Sequence, residues 1–374
     1  MRVCFPKEEQ GDKVMSILPG NVPKYLDLGV EIGIESGIGW SLNISDEEYV
    51  KKGAIVVSNS DLYKTGAAIF RSQKPNKSDV EKLEKDTVHL SFLDPFNEKE
   101  LIDDLALSGV KAVSVEMIPR STRAQKMDAL SSQANLAGYS AVIAASHEIG
   151  RALPMMMTPS GTIPPCKVFI VGVGVAGLQA IATAKRLGAR VEAFDTRAVV
   201  EEQVQSLGAK FLKIDLGETS ETKNGYAKAL TEEQIELQKA GMVKACAQAD
   251  IVITTAMLFG RAAPRIITDE MINSMKPGSV IVDMAVSSGG NVEGSVAGQT
   301  TLINGVKVLG IEKLAGEVGE SATMMYANNL YNFFEEFWDK ENRVLSLDPE
   351  DDIIAGCLIT SGGVVVNKQI NQGA

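Results

Sequence analysis

The stretch that decides the fold of this chain is Lys167-Val168-Phe169-Ile170-Val171-Gly172-Val173-Gly174-Val175-Ala176-Gly177. Its first five residues are almost wholly apolar, which is typical of a buried parallel strand, and residues 178–187 have a helical composition. In a GxGxxG turn between two such elements, Gly172 permits the tight bend, Gly174 lets the backbone approach a pyrophosphate, and Gly177 lets helix and strand pack closely. The stretch therefore predicts a dinucleotide-binding turn.

A carboxylate stands at the end of the following predicted strand. Asp195 comes directly after residues 190–194, and an acid at this place accepts hydrogen bonds from the ribose hydroxyls and repels a 2′-phosphate. NAD(H) is therefore expected in preference to NADP(H), although Arg197, two residues later, weakens this preference slightly. The predicted nucleotide-binding residues are Gly172, Gly174, Val175, Ala176, Gly177, Asp195, Thr196, Arg197, Thr255 and Ala256.

Two later segments also end predicted strands. They are residues 254–256 (Thr-Thr-Ala) and 283–286 (Asp-Met-Ala-Val). Because ligands of open α/β sheets bind beyond the carboxyl ends of the strands, we expect both segments to border the nicotinamide half of the site. Ordinary sheet packing explains either segment equally well, and a glycine turn without a ligand is the weaker alternative for residues 172–177.

Composition excludes several classes of protein. The net charge of −11 over 374 residues repels phosphate backbones, so nucleic-acid binding is not expected. The four cysteines are scattered without a CxxC pair and there are only two histidines, so no metal site is predicted. The longest weakly polar run, residues 168–184, is shorter than the ~20 residues of a membrane span and is interrupted by glycines, so no membrane insertion is expected.

The rhythm of strands and helices predicts an α/β fold with two Rossmann-like domains, whose mostly parallel sheets are joined by long helices. Residues 1–132, completed by the C-terminal segment 324–374, form the predicted N-terminal domain, and residues 133–323 form the NAD(H)-binding domain. The long helices are expected at 131–151 and 321–338. Strands are expected at 30–34, 54–57, 67–70, 88–92, 112–115, 168–171, 191–194, 211–214, 251–255, 280–284 and 306–309.

One segment breaks this rhythm. Residues 215–233 are polar, too long for an ordinary strand-to-helix connection, and contain a single aromatic residue, Tyr226. Long connections in compact domains are functional or disordered, so a functional loop and a tolerated surface insertion are equally good interpretations.

The most distinctive polar cluster is residues 119–131, Pro-Arg-Ser-Thr-Arg-Ala-Gln-Lys-Met-Asp-Ala-Leu-Ser, placed between a predicted strand and the first long helix. On composition alone a capping loop that begins at Asp128 is the simpler interpretation. The cluster nevertheless resembles the Arg/Gln/Asp loop of proton-translocating NAD(P) transhydrogenases. The similarity extends over almost the whole chain and includes residues 5–8, 154–158, 283–286 and 327–330. It is a similarity to the NAD(H)-binding component, domain I of the alpha subunit, which shares its fold with alanine dehydrogenase.

This resemblance implies roles for particular residues. Arg120, Asp128 and Ser131 would orient the nicotinamide of NAD(H), and Gln125 would reach the NADP(H) held by a partner. Tyr226 would cap the site. The implied assembly is a homodimer docked on the cytoplasmic face of a membrane by its partners, a membrane-spanning subunit and an NADP(H)-binding domain.

The related alanine dehydrogenases carry a lysine, a histidine and an aspartate for proton transfer, and an arginine that binds substrate. The matching positions of this chain hold Gln73, Asp94, Ser287 and Lys13, so no proton-transfer set remains. Hydride transfer between two nicotinamides needs no acid or base, only close and oriented rings with water excluded. Two alternatives stay open: an amino-acid dehydrogenase of the alanine dehydrogenase type, which the missing acid/base set opposes, and a nucleotide sensor without chemistry, which the intact loop opposes.

Overall fold

The structure is a computed structural model that describes residues 1–9, 11–215 and 231–371. In chain order, the strands of these residues are β1 (Arg2–Phe5), β2 (Glu31–Glu35), β3 (Ile55–Val57), β4 (Ala68–Phe70), β5 (Val88–Ser91), β6 (Lys111–Ser114), β7 (Met156–Thr158), β8 (Gly161–Ile163), β9 (Lys167–Val171), β10 (Arg190–Phe194), β11 (Lys210–Phe211), β12 (Ile251–Thr254), β13 (Val280–Asp283), β14 (Thr300–Ile303), β15 (Val306–Leu309), β16 (Trp338–Asp339), β17 (Val344–Leu345), β18 (Leu358–Ser361) and β19 (Val364–Val365). The helices are α1 (Val22–Asp27), α2 (Asp46–Val50), α3 (Asn59–Thr65), α4 (Lys77–Val80), α5 (Lys99–Leu107), α6 (Ala129–Glu148), α7 (Val175–Arg186), α8 (Glu201–Ser206), α9 (Glu232–Gln248), α10 (Asp269–Ser274), α11 (Gly319–Phe337), α12 (Asp352–Cys357) and α13 (Lys368–Asn371).

The chain divides into two compact units, the first formed by Met1–Gln133 with Val318–Ala374 and the second by Ala134–Glu317. The first unit contains an eight-stranded sheet in the order β19-β18-β6-β5-β4-β1-β2-β3. Its strands β1 to β6 are parallel, and β18 runs antiparallel to β6. The C-terminal segment thus completes the sheet of the first unit, as the sequence predicted.

The central strand β1 was not among the predicted strands. It has only four residues and begins with a charged one, so it gives almost no periodic signal. Its position between β2 and β4 nevertheless buries Val3, Cys4 and Phe5 completely.

The second unit contains a seven-stranded sheet in the order β11-β10-β9-β12-β13-β15-β14. All its neighbours pair in parallel except β14 with β15. Alternate residues of β9 enter opposite cores: Val168 and Ile170 pack on the face covered by α6 and α7, whereas Phe169 and Val171 pack on the face covered by α9 and α10. Burial on both faces explains why the strand reads as an uninterrupted apolar run. The predicted α/β class with parallel-dominated sheets is confirmed.

Some predicted elements differ in extent from the observed ones. The predicted strand 211–214 shrinks to β11, since Lys210 and Phe211 alone pair with β10 and the chain then leaves the sheet. The helix expected near residues 79–83 is α4, which starts earlier because the Asn76 side chain accepts a hydrogen bond from the Asp79 N–H at 2.9 Å. The short exposed hairpin β7–β8 was not expected.

Candidate nucleotide-binding site

The glycine turn follows β9 at the point where the strand order reverses, with β10 on one side and β12 on the other. Gly172 has φ +95°, and a Cβ there would lie 2.6 Å from Thr255 Oγ1. A Cβ on Gly177 would lie 2.0 Å from the Gly172 carbonyl oxygen, so only glycine lets the first turn of α7 pack against the end of the strand. Both glycines have the geometric roles that the sequence predicted.

The first turn of α7 is open to an anion. Gly174 is its N-cap residue, no described side chain caps that end, and a Cβ on Gly174 would meet nothing within 4 Å. Val175 is exposed and Ala176 partly so. The backbone N–H groups of this turn, together with the positive end of the helix dipole, form a cradle that fits a pyrophosphate.

Asp195 lies at the carboxyl end of β10 and binds the glycine turn. Its Oδ2 accepts a hydrogen bond from the Val173 N–H at 2.8 Å. Arg197 donates to the same carboxylate from its backbone N–H (2.9 Å), its Nε (2.9 Å) and its Nη2 (2.8 Å). Four donors thus occupy a group that has about four acceptor positions. A ribose hydroxyl that bound Asp195 would have to share or replace the contacts of Arg197, a feature that the sequence did not reveal.

The loops after β12 and β13 are joined by a buried asparagine. Thr255 Oγ1 donates to the Gly172 carbonyl at 3.0 Å, which ties the β12 loop to the glycine turn. Asn291 is fully buried; its Nδ2 donates to the carbonyls of Ala256 (2.8 Å) and Pro264 (2.9 Å), and its Oδ1 accepts from the Ala256 N–H (3.1 Å).

Asp283, the last residue of β13, fixes this asparagine in turn. Its buried carboxylate accepts hydrogen bonds from the N–H groups of Ala285, Asn291 and Val292, at 3.0–3.2 Å. Sequence analysis identified the two loops but missed Asn291, for which only an isolated polar residue after a Gly-Gly pair could have been a signal.

In the first unit, the loop at residues 119–128 leads into α6. Asp128 precedes the helix and accepts hydrogen bonds from the Ser131 N–H at 2.8 Å and the Ser131 hydroxyl at 2.6 Å, so the predicted helix cap is present. Arg120 and Gln125 are exposed. Since the Ser131 proton is directed at Asp128, the remaining lone pairs of that hydroxyl can accept a hydrogen bond from an amide.

The positions that correspond to the alanine dehydrogenase catalytic groups hold no acid/base pair. The Asp94 carboxylate accepts a hydrogen bond from the Asn97 side chain at 2.8 Å and shapes the turn before α5. Ser287 is exposed. His89 is fully buried in β5, and burial lowers its pKa to about 3, so it stays neutral in the ordinary pH range.

Three further predictions concern absent or undescribed features. Tyr226 lies outside the described residues. Within the described ranges, no cluster of three potential metal ligands occurs, and no helix is both long and apolar enough to cross a membrane. The described cysteines are all buried and unpaired.

A reversed strand order, a glycine turn at the reversal and an open helix N-terminus define a Rossmann-type protein that binds a dinucleotide. Comparison with known proteins gives the family. Residues 5–137 match the N-terminal domain of the Alanine dehydrogenase/PNT family and residues 141–368 match its C-terminal domain. The chain belongs to this family of pyridine-nucleotide oxidoreductases, and within it to the alpha subunits of NAD(P) transhydrogenase.

The second assignment follows from the relatives. In Rhodospirillum rubrum the NAD(P) transhydrogenase alpha subunit is made in separate pieces, and this chain is 40% identical over its whole length to the whole of the first piece. It is 36% identical over 97% of its length to 71% of the alpha subunit of Haemophilus influenzae.

Solved structures agree with this order. The crystal structure of transhydrogenase from Sinorhizobium meliloti has a TM-score of 0.86 at 40% identity, covering 99% of this chain and 100% of that one. An L-alanine dehydrogenase has a TM-score of 0.83 at 25% identity, covering 100% and 99% of the two chains. The lower identity to the dehydrogenase agrees with the different residues that this chain holds at the matching catalytic positions.

Proposed function

We propose that this chain is the NAD(H)-binding component of a proton-translocating transhydrogenase, in which a hydride passes directly between NAD(H) on this chain and NADP(H) on a partner subunit. The observation that carries the proposal is the combination of an open dinucleotide cradle with the absence of the acid/base pair that an amino-acid dehydrogenase needs. NAD(H) supplies or accepts the hydride at its nicotinamide ring, and no proton moves at the reacting carbons.

The second unit would hold the nucleotide through groups already described. The first turn of α7 receives the pyrophosphate, and Asp195, with Thr196 and Arg197 beside it, binds the adenosine ribose. Thr255 and Ala256, fixed by Asn291, lie in the loop after β12, where strand ends of such sheets meet their ligands.

The loop of the first unit would orient the reacting ring. Ser131, whose proton is directed at Asp128, offers acceptor lone pairs to the carboxamide of the nicotinamide. Arg120 acts on the same ring, and Gln125 contacts the NADP(H) of the partner. Tyr226 completes the site in this proposal.

The assembly follows from the same family membership. The relatives are named as alpha subunits, and we infer for this chain a membrane-spanning partner and an NADP(H)-binding domain. We propose a homodimer held on the cytoplasmic face of the membrane by those partners.

A reconstitution experiment tests the proposal. The full chain is mixed with a purified NADP(H)-binding domain of a transhydrogenase, and oxidation of NADH by NADP⁺ is followed. Transfer should require both proteins, and pyruvate with ammonium should not oxidise NADH. Rapid NADH oxidation by pyruvate and ammonium with this chain alone would instead establish an amino-acid dehydrogenase.

A further inference from the structure

Two asparagines of α11 hold the backbone of the loop that carries Gln125. Asn329 Nδ2 donates to the Lys126 carbonyl at 3.0 Å, and Asn332 Nδ2 donates to the same oxygen at 2.8 Å. Gln125 and Lys126 belong to one 3-10 turn, Gln125–Met127. The carbonyl next to Gln125 is thus fixed by two donors from a helix that lies about two hundred residues later in the chain.

Asn329 also connects the loop to α6. It is largely buried, and its Oδ1 accepts a hydrogen bond from the Ser132 hydroxyl at 2.7 Å. The same amide therefore bonds the start of α6 through its oxygen and the Gln125 turn through its nitrogen. Because both ends of this amide are used, it fixes the distance from the turn to the helix that begins after Asp128.

Apolar and charged contacts support the turn around these amides. Met127 and Ala124 are buried beneath it, whereas Gln125 itself is exposed. Lys126 Nζ lies 3.0 Å from a Glu336 carboxylate oxygen. Both members of this ion pair are partly exposed, so it contributes little energy, and the two amide donors to the backbone give the turn its defined position.

We propose that Asn329 and Asn332 are positioning residues for hydride transfer: through the Lys126 carbonyl they hold the Gln125 side chain where it meets the second nucleotide. Hydride transfer needs the reacting atoms at near-attack distances, and a displacement of about 1 Å can cost roughly a hundredfold in rate. A turn that carries one exposed amide can supply such precision only if its backbone is held from outside. This inference rests on the proposed function and adds two residues to it that touch neither nucleotide.

The principal test is Asn332→Leu in the full chain. Leucine keeps the size of the side chain and favours the helix more than asparagine, but removes the N–H donors. With the NADP(H)-binding domain and saturating nucleotides, the rate of hydride transfer should fall on the order of tenfold, while the Kd for NADH of the chain alone changes less than about twofold. Asn329→Asp, which keeps the acceptor for Ser132 and loses the donor to Lys126, should act in the same direction.

A matched control lies on the same helix. Asn328 bonds Asn21 and Lys24 through its Oδ1, at 3.1 and 3.2 Å, on a different surface of the first unit. Asn328→Leu should therefore transfer hydride at the wild-type rate, even if it lowers the thermal stability as much as Asn332→Leu does.

A double variant separates positioning from a general structural role. If Asn332 acts through Gln125, then Asn332→Leu should cause no further loss of rate in a Gln125→Ala background. Additive losses in the double variant, or normal transfer by Asn332→Leu and Asn329→Asp, would overturn the positioning role while leaving the proposed function intact. Absence of transfer by the wild-type chain would overturn both.

Discussion

Replacement of Asp195 by alanine tests how the second unit selects its nucleotide. The carboxylate is the one group of the described site that can receive both ribose hydroxyls, and it lies at the end of β10 beside the glycine turn. Loss of a charge-assisted hydrogen-bond pair costs about 1.5–3 kcal/mol, which corresponds to a Kd for NADH raised roughly ten- to hundredfold.

The same substitution should change the response to NADPH in the opposite direction. In the wild-type chain the carboxylate repels a 2′-phosphate and also holds the Arg197 guanidinium, through Nε at 2.9 Å and Nη2 at 2.8 Å. Without it, that guanidinium can pair with the phosphate, since arginine binds phosphates in a bidentate manner. Asp195→Ala should therefore bind NADPH more tightly than the wild-type chain does, and Asp195→Ala with Arg197→Ala should lose this gain.

Calorimetric titration of the full chain with NADH and with NADPH measures these effects. Because Asp195 also accepts a hydrogen bond from the Val173 N–H, thermal unfolding must accompany each titration. Asp195→Asn, which keeps one oxygen as an acceptor for that N–H, serves as the control for the fold of the turn. Equal affinity of the wild-type chain for NADH and NADPH, or unchanged NADH affinity of Asp195→Ala, would refute the reasoning.

Three further predictions follow from other regions of the chain. Gln125→Asn should leave the Kd for NADH of the isolated chain unchanged and slow hydride transfer in the complex, whereas Arg120→Ala should impair both; a Gln125→Asn chain that binds NADH poorly yet transfers normally would assign Gln125 to NAD(H) binding. Asn291→Ala should lower the free energy of unfolding by about 2–4 kcal/mol in urea titrations and weaken NADH binding, because it leaves the buried Ala256 and Pro264 groups unpaired; unchanged NADH affinity would separate Asn291 from the site. The pKa of His89 is lowered by burial to about 3, so only the unfolded chain gains this proton as the pH falls below about 6.5, and wild-type stability should lose about 2–3 kcal/mol more than His89→Gln between pH 7 and pH 4.5; equal losses in the two proteins would show that His89 is protonated in the fold.

The sequence predicted the regions of the fold that carry strong local signals. The apolar run of β9, its glycine turn and the long helices α6 and α11 were located because burial on both strand faces and helical periodicity are visible in one segment. The strand β1 has four residues, and its central place in the sheet depends on pairing with β2 and β4, which no local pattern encodes.

The site shows the same division. The Gly172 and Gly177 roles follow from spacing, and the Asp128 cap follows from Ser131 three residues later. The bonds of Asn291 and of Asn329 join segments far apart in the chain, and isolated asparagines have no pattern that indicates their partners. The four donors on Asp195 depend on the rotamer of Arg197 and the bend of the turn, which are properties of the folded backbone.

Transfer of an isotopic label tests the central claim most directly. NADH that carries deuterium at the transferred position of its ring is mixed with NADP⁺, the full chain and an NADP(H)-binding domain of a transhydrogenase, in ordinary water. Direct hydride transfer predicts that the deuterium appears in NADPH without loss to solvent, because no acid or base of this chain exchanges it. NADPH that contains hydrogen from solvent, or NADH oxidation that proceeds without NADP⁺, would contradict the account.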